Sequence, residues 1–412
     1  MQDYQVLELE NGIKIVHKQN LHTKIAHLGI MLDIGSRDEL PEEQGITHFW
    51  EHMAFKGTQK RKSYHIINRL EALGGELNAY TTKEKICFYA SVLDLHLDKS
   101  IELLTDITFN STFPEKQIEK ERMVILEEMA MYRDTPEDAI LDEFDELIFK
   151  NHALGANILG TEETLKKFTQ AHFFNFLQKN LNTHKIIISS VGNYTMDKLV
   201  RLVRKYVDQV PAKNHTSKRS SFSGYDVTHQ SRDKSISQVH YQMGTTAFDL
   251  THPDRIPFFL LTNILGGPAM NSRLNMSLRE KHGFVYGVEA HFSSYIDTGM
   301  FAIGFATDPK NLKKSVSLVQ KEINILKAKS LTEGQLQKAK TQLKGQLAMS
   351  EENNNAMMLM MAKSLLDLQT IPDLDHIFKK IDAVSASKLL ELANECLTDD
   401  QFTTLKYQPI DS

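Results

Sequence analysis

Residues 113–132 read FPEKQIEKERMVILEEMAMY and residues 331–350 read LTEGQLQKAKTQLKGQLAMS, the same helical text at an offset of 218. A second match, at an offset of 210, lays His48-Phe49-Trp50-Glu51-His52 and the residues through Gly57 over Phe258 to Gly267. Two matches at nearly one spacing read as a duplicated unit. The neighbouring text agrees. In the first half, strand-like runs at residues 6–9, 13–17 and 25–33 precede a helical stretch from Gly45. Alternating runs at 76–82 and 86–93 follow, then an amphipathic segment over 97–109. The second half repeats this order: strand text at 237–244, a helix ending at Gly266-Gly267, strands at 286–294 and 299–307, and a helix over 309–327. Strands grouped before helices predict α+β layers rather than βαβ winding. Between residues 211 and 235 the chain turns polar, basic and serine-rich, which predicts a linker or long loop.

Composition narrows the function class. The 412 residues suffice for two to four domains. Lys and Arg number 48 against 53 acids, a net charge of -5, so no basic excess points to nucleic acid or an anionic membrane. No run of about 18 apolar residues predicts a membrane span. Residues 1–10 contain Asp3, Glu8 and Glu10 and no apolar core of a signal peptide. The two cysteines, Cys87 and Cys396, make no disulfide framework. Together these lead us to expect a cytoplasmic protein, with an exported or organellar mature form left open.

The chemistry gathers at His48-Phe49-Trp50-Glu51-His52, an H-x-x-E-H. On a helix, His48 and His52 share a face, and Glu51 lies beside them. Two imidazoles at that spacing suit Zn²⁺, and the carboxylate suits a general base toward water. A surface helix with Glu–His hydrogen bonds would carry the same five letters. The flanks add information: Gly35-Ser36-Arg37-Asp38-Glu39, Gly45, Phe55-Lys56-Gly57-Thr58, and Gly74-Gly75-Glu76-Leu77-Asn78-Ala79-Tyr80-Thr81. Together with the motif they resemble the signature of the pitrilysin/insulinase family of zinc metallopeptidases, the inverted-motif zincins.

That resemblance implies a third zinc ligand, a glutamate about 75 residues beyond the motif. Glu128, 76 residues after His52, matches, with Glu127 as the neighbour pointing about 100° away around the helix. Glu121, two turns before Glu128, matches a catalytically important family glutamate that would orient a ligand histidine. Asn78 and Ala79 match residues that hold the substrate backbone. A strand over residues 77–81 at a sheet edge would add a peptide as a further strand, giving broad specificity. Arg279 and Tyr286 resemble an arginine/tyrosine pair that contacts the substrate and stabilises the oxyanion. Pro268 and Asn271 depart from the glycine-rich loop of some relatives, which weakens any loop-based selection of presequences.

At the two offsets, His48, Glu51 and His52 fall on Phe258, Leu261 and Thr262, and Glu121 and Glu128 fall on Ala339 and Gln346. The second half is therefore expected to be a metal-free copy. The expected architecture is α+β: two homologous domains, each a mostly antiparallel sheet with helices packed on one side. Residues 1–213 would be the zinc-bearing domain with one Zn²⁺ per chain, 214–235 the linker, and 236–412 the metal-free domain. The expected activity is zinc-dependent endopeptidase action on extended peptides. The resemblance also implies a homodimer that rebuilds the four-domain chamber of longer relatives, with Arg279 and Tyr286 acting in cis or in trans. The alternative is a non-catalytic or heterodimer partner subunit of a processing-peptidase-like complex. Trp50 and the methionine-rich residues 356–362 are expected in the core.

Overall fold

The structure, a computed structural model, describes residues 4–215 and 218–410. The first half runs β1 (Gln5–Glu8), β2 (Lys14–Gln19), β3 (Ile25–Leu32), α1 (Ile46–Ala54), α2 (Ser63–Glu71), β4 (Glu76–Thr81), β5 (Ile86–Leu93), α3 (Leu97–Phe109), α4 (Glu115–Asp134), α5 (Pro136–Ile148), α6 (Glu162–Leu165), α7 (Gln170–Asn180), β6 (Ile186–Gly192) and α8 (Met196–Val207). The second half runs β7 (His229–Lys234), β8 (Val239–Ala247), α9 (Arg255–Gly266), β9 (Val285–Ser294), β10 (Gly299–Thr307), α10 (Leu312–Ala328), α11 (Glu333–Glu351), α12 (Asn354–Leu368), α13 (Leu374–Ala383), α14 (Ala386–Cys396) and β11 (Thr403–Pro409). The structure repeats in the same way: α4 begins at Glu115 and α11 at Glu333, and α1 and α9 occupy matching places.

The strands form two mixed sheets, of order β1-β2-β6-β3-β5-β4 and β7-β11-β8-β10-β9. The pairs β2–β6 and β7–β11 are parallel and the other pairs antiparallel. The architecture is α+β, and most helices gather on one face of each sheet.

The chain condenses into two compact units that interleave along the sequence. The first is Met1–Met129, Ala156–Ser220 and Met349–Pro372; the second is Ala130–Gly155, Ser221–Ala348 and Asp373–Ser412. A single cut at the polar stretch therefore misses two helices: α5 belongs with the second unit and α12 with the first. Side-chain alternation in the strands explains why each is needed. In β5, Phe88 packs against Trp50 of α1, ring centroids 5.5 Å apart, while Cys87 points to the other face. There Met357, Met358 and Met361 of α12 close over Cys87, Met31 and Ile187. Without α12 that face would lie open. In the second unit, Phe301, Ile303 and Phe305 of β10 pack into the core under α9 and α10, while Met300 and Ala302 meet Ile140 and Phe144 of α5.

The polar stretch also has more structure than its composition suggests. Arg219 places its guanidinium across Asp38, with two contacts of 2.8 Å, and donates to Asp33 at 3.0 Å. This pins the start of the tether to the first unit. Residues 229–234 form β7, an edge strand whose largely exposed side chains accommodate a polar sequence.

Candidate metal centre

The centre is built on α1. The chain enters this helix through Gly45, which has a φ of +91° and whose added Cβ would stand 2.6 Å from the Leu159 carbonyl oxygen, so a side chain there is excluded. The carboxylate of Glu39 accepts from the backbone N–H of Gly45 and of Thr47, each at 2.8 Å. These bonds satisfy donors that a helix N-terminus leaves unpaired. Burial pushes the Glu39 carboxyl up to about 8, against the pull of those two backbone donors. Phe49, Trp50 and Met53 are fully buried and hold the helix in the core; their burial fixes which face carries the motif histidines.

His48 and His52 share that face, their ring centroids 4.7 Å apart. Glu128, in the middle of α4, meets both: its Oε1 lies 3.8 Å from His48 Nε2 and its Oε2 3.4 Å from His52 Nε2. One ligand atom from each of the three residues falls within 4.8 Å of the others. Glu127 is exposed on the neighbouring face. Glu121, two helical turns earlier, sits behind the histidines: its Oε2 lies 3.3 Å from His52 Nδ1 and its Oε1 2.7 Å from Lys56 Nζ. Glu51 lies beside the cluster and accepts a hydrogen bond from the Thr81 hydroxyl at 2.5 Å.

Electrostatics follow this geometry. Burial, then the proximity of His52, drops His48 to about 4, so it is neutral near pH 7. Burial opposes charge on His52 as well, but the hydrogen bonds to Glu121 and Glu128 lift it to about 9. Glu128 is held below the usual carboxylate range by its bond to His52. Glu121 is held low by His52 and Lys56 in spite of burial. Burial raises Glu51, and the Thr81 bond pulls the other way. The donor chemistry fits zinc: two imidazoles and one carboxylate, with Glu121 on the second nitrogen of one histidine to fix its ring orientation. The buried Nδ1 of His48 has no hydrogen-bond partner among the described residues. Its Nε2 is the nitrogen that faces the cluster.

The remaining sequence-predicted residues fall on three elements. Asn78 and Ala79 lie on β4, which forms the edge of its sheet, with Asn78 exposed. Arg279 and Tyr286 lie in the second unit and meet one another, the guanidinium 5.4 Å from the Tyr286 ring centroid in a cation–π contact. Arg279 projects from a π-helical stretch, Asn275–Lys281, and Tyr286 from β9 with 89% of its surface exposed. Tyr286 borders an open trough of about 1010 Å³ between α5 and strands β8 to β10, lined also by Glu137 and Glu289. The sequence reading missed Glu39, Lys56 and Thr81. The first lies in the quoted GSRDE run and the last ends the quoted strand, but neither position announces its partner.

Comparisons with known proteins bear on the family. The family described as Insulinase (Peptidase family M16) matches residues 14–162, and Peptidase M16 inactive domain matches residues 167–343. An uncharacterized zinc protease of Bacillus subtilis is 34% identical over 393 residues, covering 95% of each chain. One of Rickettsia felis is 33% identical, covering 85% of this chain and 84% of its own. Among solved structures, a protease from Helicobacter pylori superposes with a TM-score of 0.91 at 21% identity, covering 98% of this chain and 99% of that one. A peptidase M16 inactive domain from Pseudomonas fluorescens also gives 0.91, at 18% identity and 99% and 98% coverage. The chain belongs to the insulinase family, peptidase family M16.

Proposed function

We propose that the chain is a zinc-dependent endopeptidase that hydrolyses extended peptides or unfolded protein segments. The convergence of His48, His52 and Glu128 beside the Glu51 carboxylate carries this reading. The naming of its relatives as zinc proteases supports it. His48, His52 and Glu128 would hold one Zn²⁺, which supplies Lewis-acid polarisation of the scissile carbonyl and a lowered water pKa. Glu51 takes a proton from the attacking water as its oxygen bonds to the carbonyl carbon. It then delivers that proton to the amide nitrogen as the C–N bond breaks. Glu121 keeps the His52 ring in place. Asn78 and Ala79 hold the peptide main chain along the open edge of β4, where backbone bonding tolerates many sequences. Arg279 and Tyr286 donate to the carbonyl oxygen as charge develops on it.

The active assembly in this proposal is a homodimer forming a chamber, in which Arg279 and Tyr286 of one subunit complete the centre of the other. Possession of both residue sets by one chain supports a homodimer over a heterodimer. Among the described residues no helix is long and apolar enough to cross a membrane, and a cytoplasmic site is proposed. Cleavage of a quenched peptide with and without chelator tests the activity; equal rates in both would remove the zinc-peptidase reading. Mixing Glu51→Gln and Arg279→Ala subunits, each inactive alone, tests the composite site. Activity should return in mixed dimers, and inactive mixed dimers would refute the exchange.

A further inference from the structure

The general base proposed above is a long, half-buried carboxylate with three side-chain torsions, and something must hold it still. In the structure that something is Thr81. Its hydroxyl donates to Oε2 of Glu51 at 2.5 Å, the hydrogen bond this carboxylate receives among the described residues. A β-branched residue in a strand has a stiff χ1, so its hydroxyl is a fixed point rather than a mobile partner. The bond occupies one carboxylate oxygen and leaves the other for a proton.

The strand end that carries Thr81 is itself clamped. Thr81 pairs with Ile86 across the hairpin, and Thr82 N–H closes the turn on the Lys85 carbonyl at 2.7 Å. The turn then places three consecutive charged side chains, Lys83, Glu84 and Lys85, in the interior, a rare arrangement unless each is paired. Each is. Lys83 donates to the Ala156 carbonyl at 2.8 Å, Glu84 pairs with Arg37 at 2.7 Å, and Lys85 pairs with Asp367 of α12. The hairpin is thus tied to three separate parts of the first unit.

Thr81 also stands three residues beyond Asn78 and two beyond Ala79 on β4. The strand that would take up the peptide and the residue that holds the base are one rigid element. We infer that Thr81 is a positioning residue: it fixes the Glu51 carboxylate in register with the peptide-binding edge of β4, with the clamped turn of residues 82–85 as its support. The advantage is geometric. A misplacement of about 1 Å between base and reacting atoms can cost on the order of a hundredfold in rate, and sharing a strand removes the slack between them. The inference rests on the zinc-peptidase reading.

The test is Thr81→Val, which keeps the shape and removes the hydroxyl, beside Thr81→Ser, which keeps the hydroxyl. With Thr81→Val, kcat should fall about ten- to a hundredfold while KM stays within about twofold. Zinc content and Tm should match the wild type, and Thr81→Ser should recover most of the rate. A crystal structure of metal-free Thr81→Val should show the Glu51 carboxylate in a different rotamer. Wild-type kcat in Thr81→Val would overturn the inference, as would an unmoved Glu51 carboxylate in that variant or an equal loss in Thr81→Ser. If Thr81→Val does not fold, Thr81→Ala against Thr81→Ser is read by the same criteria. A wild-type chain with no zinc-dependent cleavage removes the underlying reading instead, whereas an active wild type beside a fully active Thr81→Val removes only this inference.

Discussion

Helices α1 and α9 occupy equivalent places in the two units, yet only α1 carries metal-ligand chemistry. In α1 the face opposite the core bears His48, Glu51 and His52; in α9 the corresponding residues are Phe258, Leu261 and Thr262, all buried. The same holds for α4 and α11, where Ala339 and Gln346 stand at the positions of Glu121 and Glu128. The difference teaches that the scaffold and the site are separable. Helix, edge strand and sheet recur in both units, so the fold does not depend on the ligands. The stripped copy uses its apolar residues for packing, with Phe258 against Phe292 and Phe301.

The strongest way to break this comparison is Glu51→Gln. It should lower cleavage by about 10²–10⁴ while bound zinc, measured by metal analysis, stays at wild-type content; a rate unchanged from wild type would remove Glu51 as base. Glu128→Gln should instead reduce bound zinc itself, whereas Gln346→Glu in the second unit should add none, because Phe258 and Thr262 stand there in place of the histidines. Glu121→Gln should be milder in kind: zinc affinity should weaken about ten- to a hundredfold by competition with a chelator, since the support of His52 is lost. Trp50→Ala removes the side chain that sets the α1 face and should cost about 3–5 kcal/mol of stability, and Phe258→Ala in the second unit a similar amount. Thermal denaturation of the two variants compares them directly.

A pH dependence also belongs to the first unit. Glu39 titrates at about 8 in the folded chain, above its ordinary value of 4.5. Between those values the folded state holds a proton that the unfolded state has released. Stability from this group is therefore full below about 4.5 and is lost as pH rises through about 8. Metal-free protein should lose Tm over that window, and Glu39→Ala, less stable throughout from loss of the helix cap, should lose less over it.

Local chemistry was legible where it repeats along the chain. The interval of four between His48 and His52 puts both on one face of any helix, and the seven from Glu121 to Glu128 does the same. Amphipathic periodicity marked α3 as residues 97–109, where the structure has it. Methionines at residues 357, 358 and 361 marked α12 as buried. What they bury against was not legible: an apolar helix is equally content against either sheet, and the closure of β3, β5 and β6 by a helix from the far end of the chain is a tertiary event. The π-helical turn beneath Arg279 likewise leaves no periodic trace.

The sequence by itself determined the duplicated α+β pattern, the helix that presents two imidazoles and a carboxylate, and the absence of those groups from the copy, because all three depend on spacing within one element. Only the tertiary structure decided that Glu128 and not Glu127 meets the histidines, that Glu39 caps the helix, that Thr81 grips Glu51, and that α5 and α12 exchange between units. Those depend on how distant elements are registered by packing. No residue's identity states the distance to a partner 30 or 300 positions away.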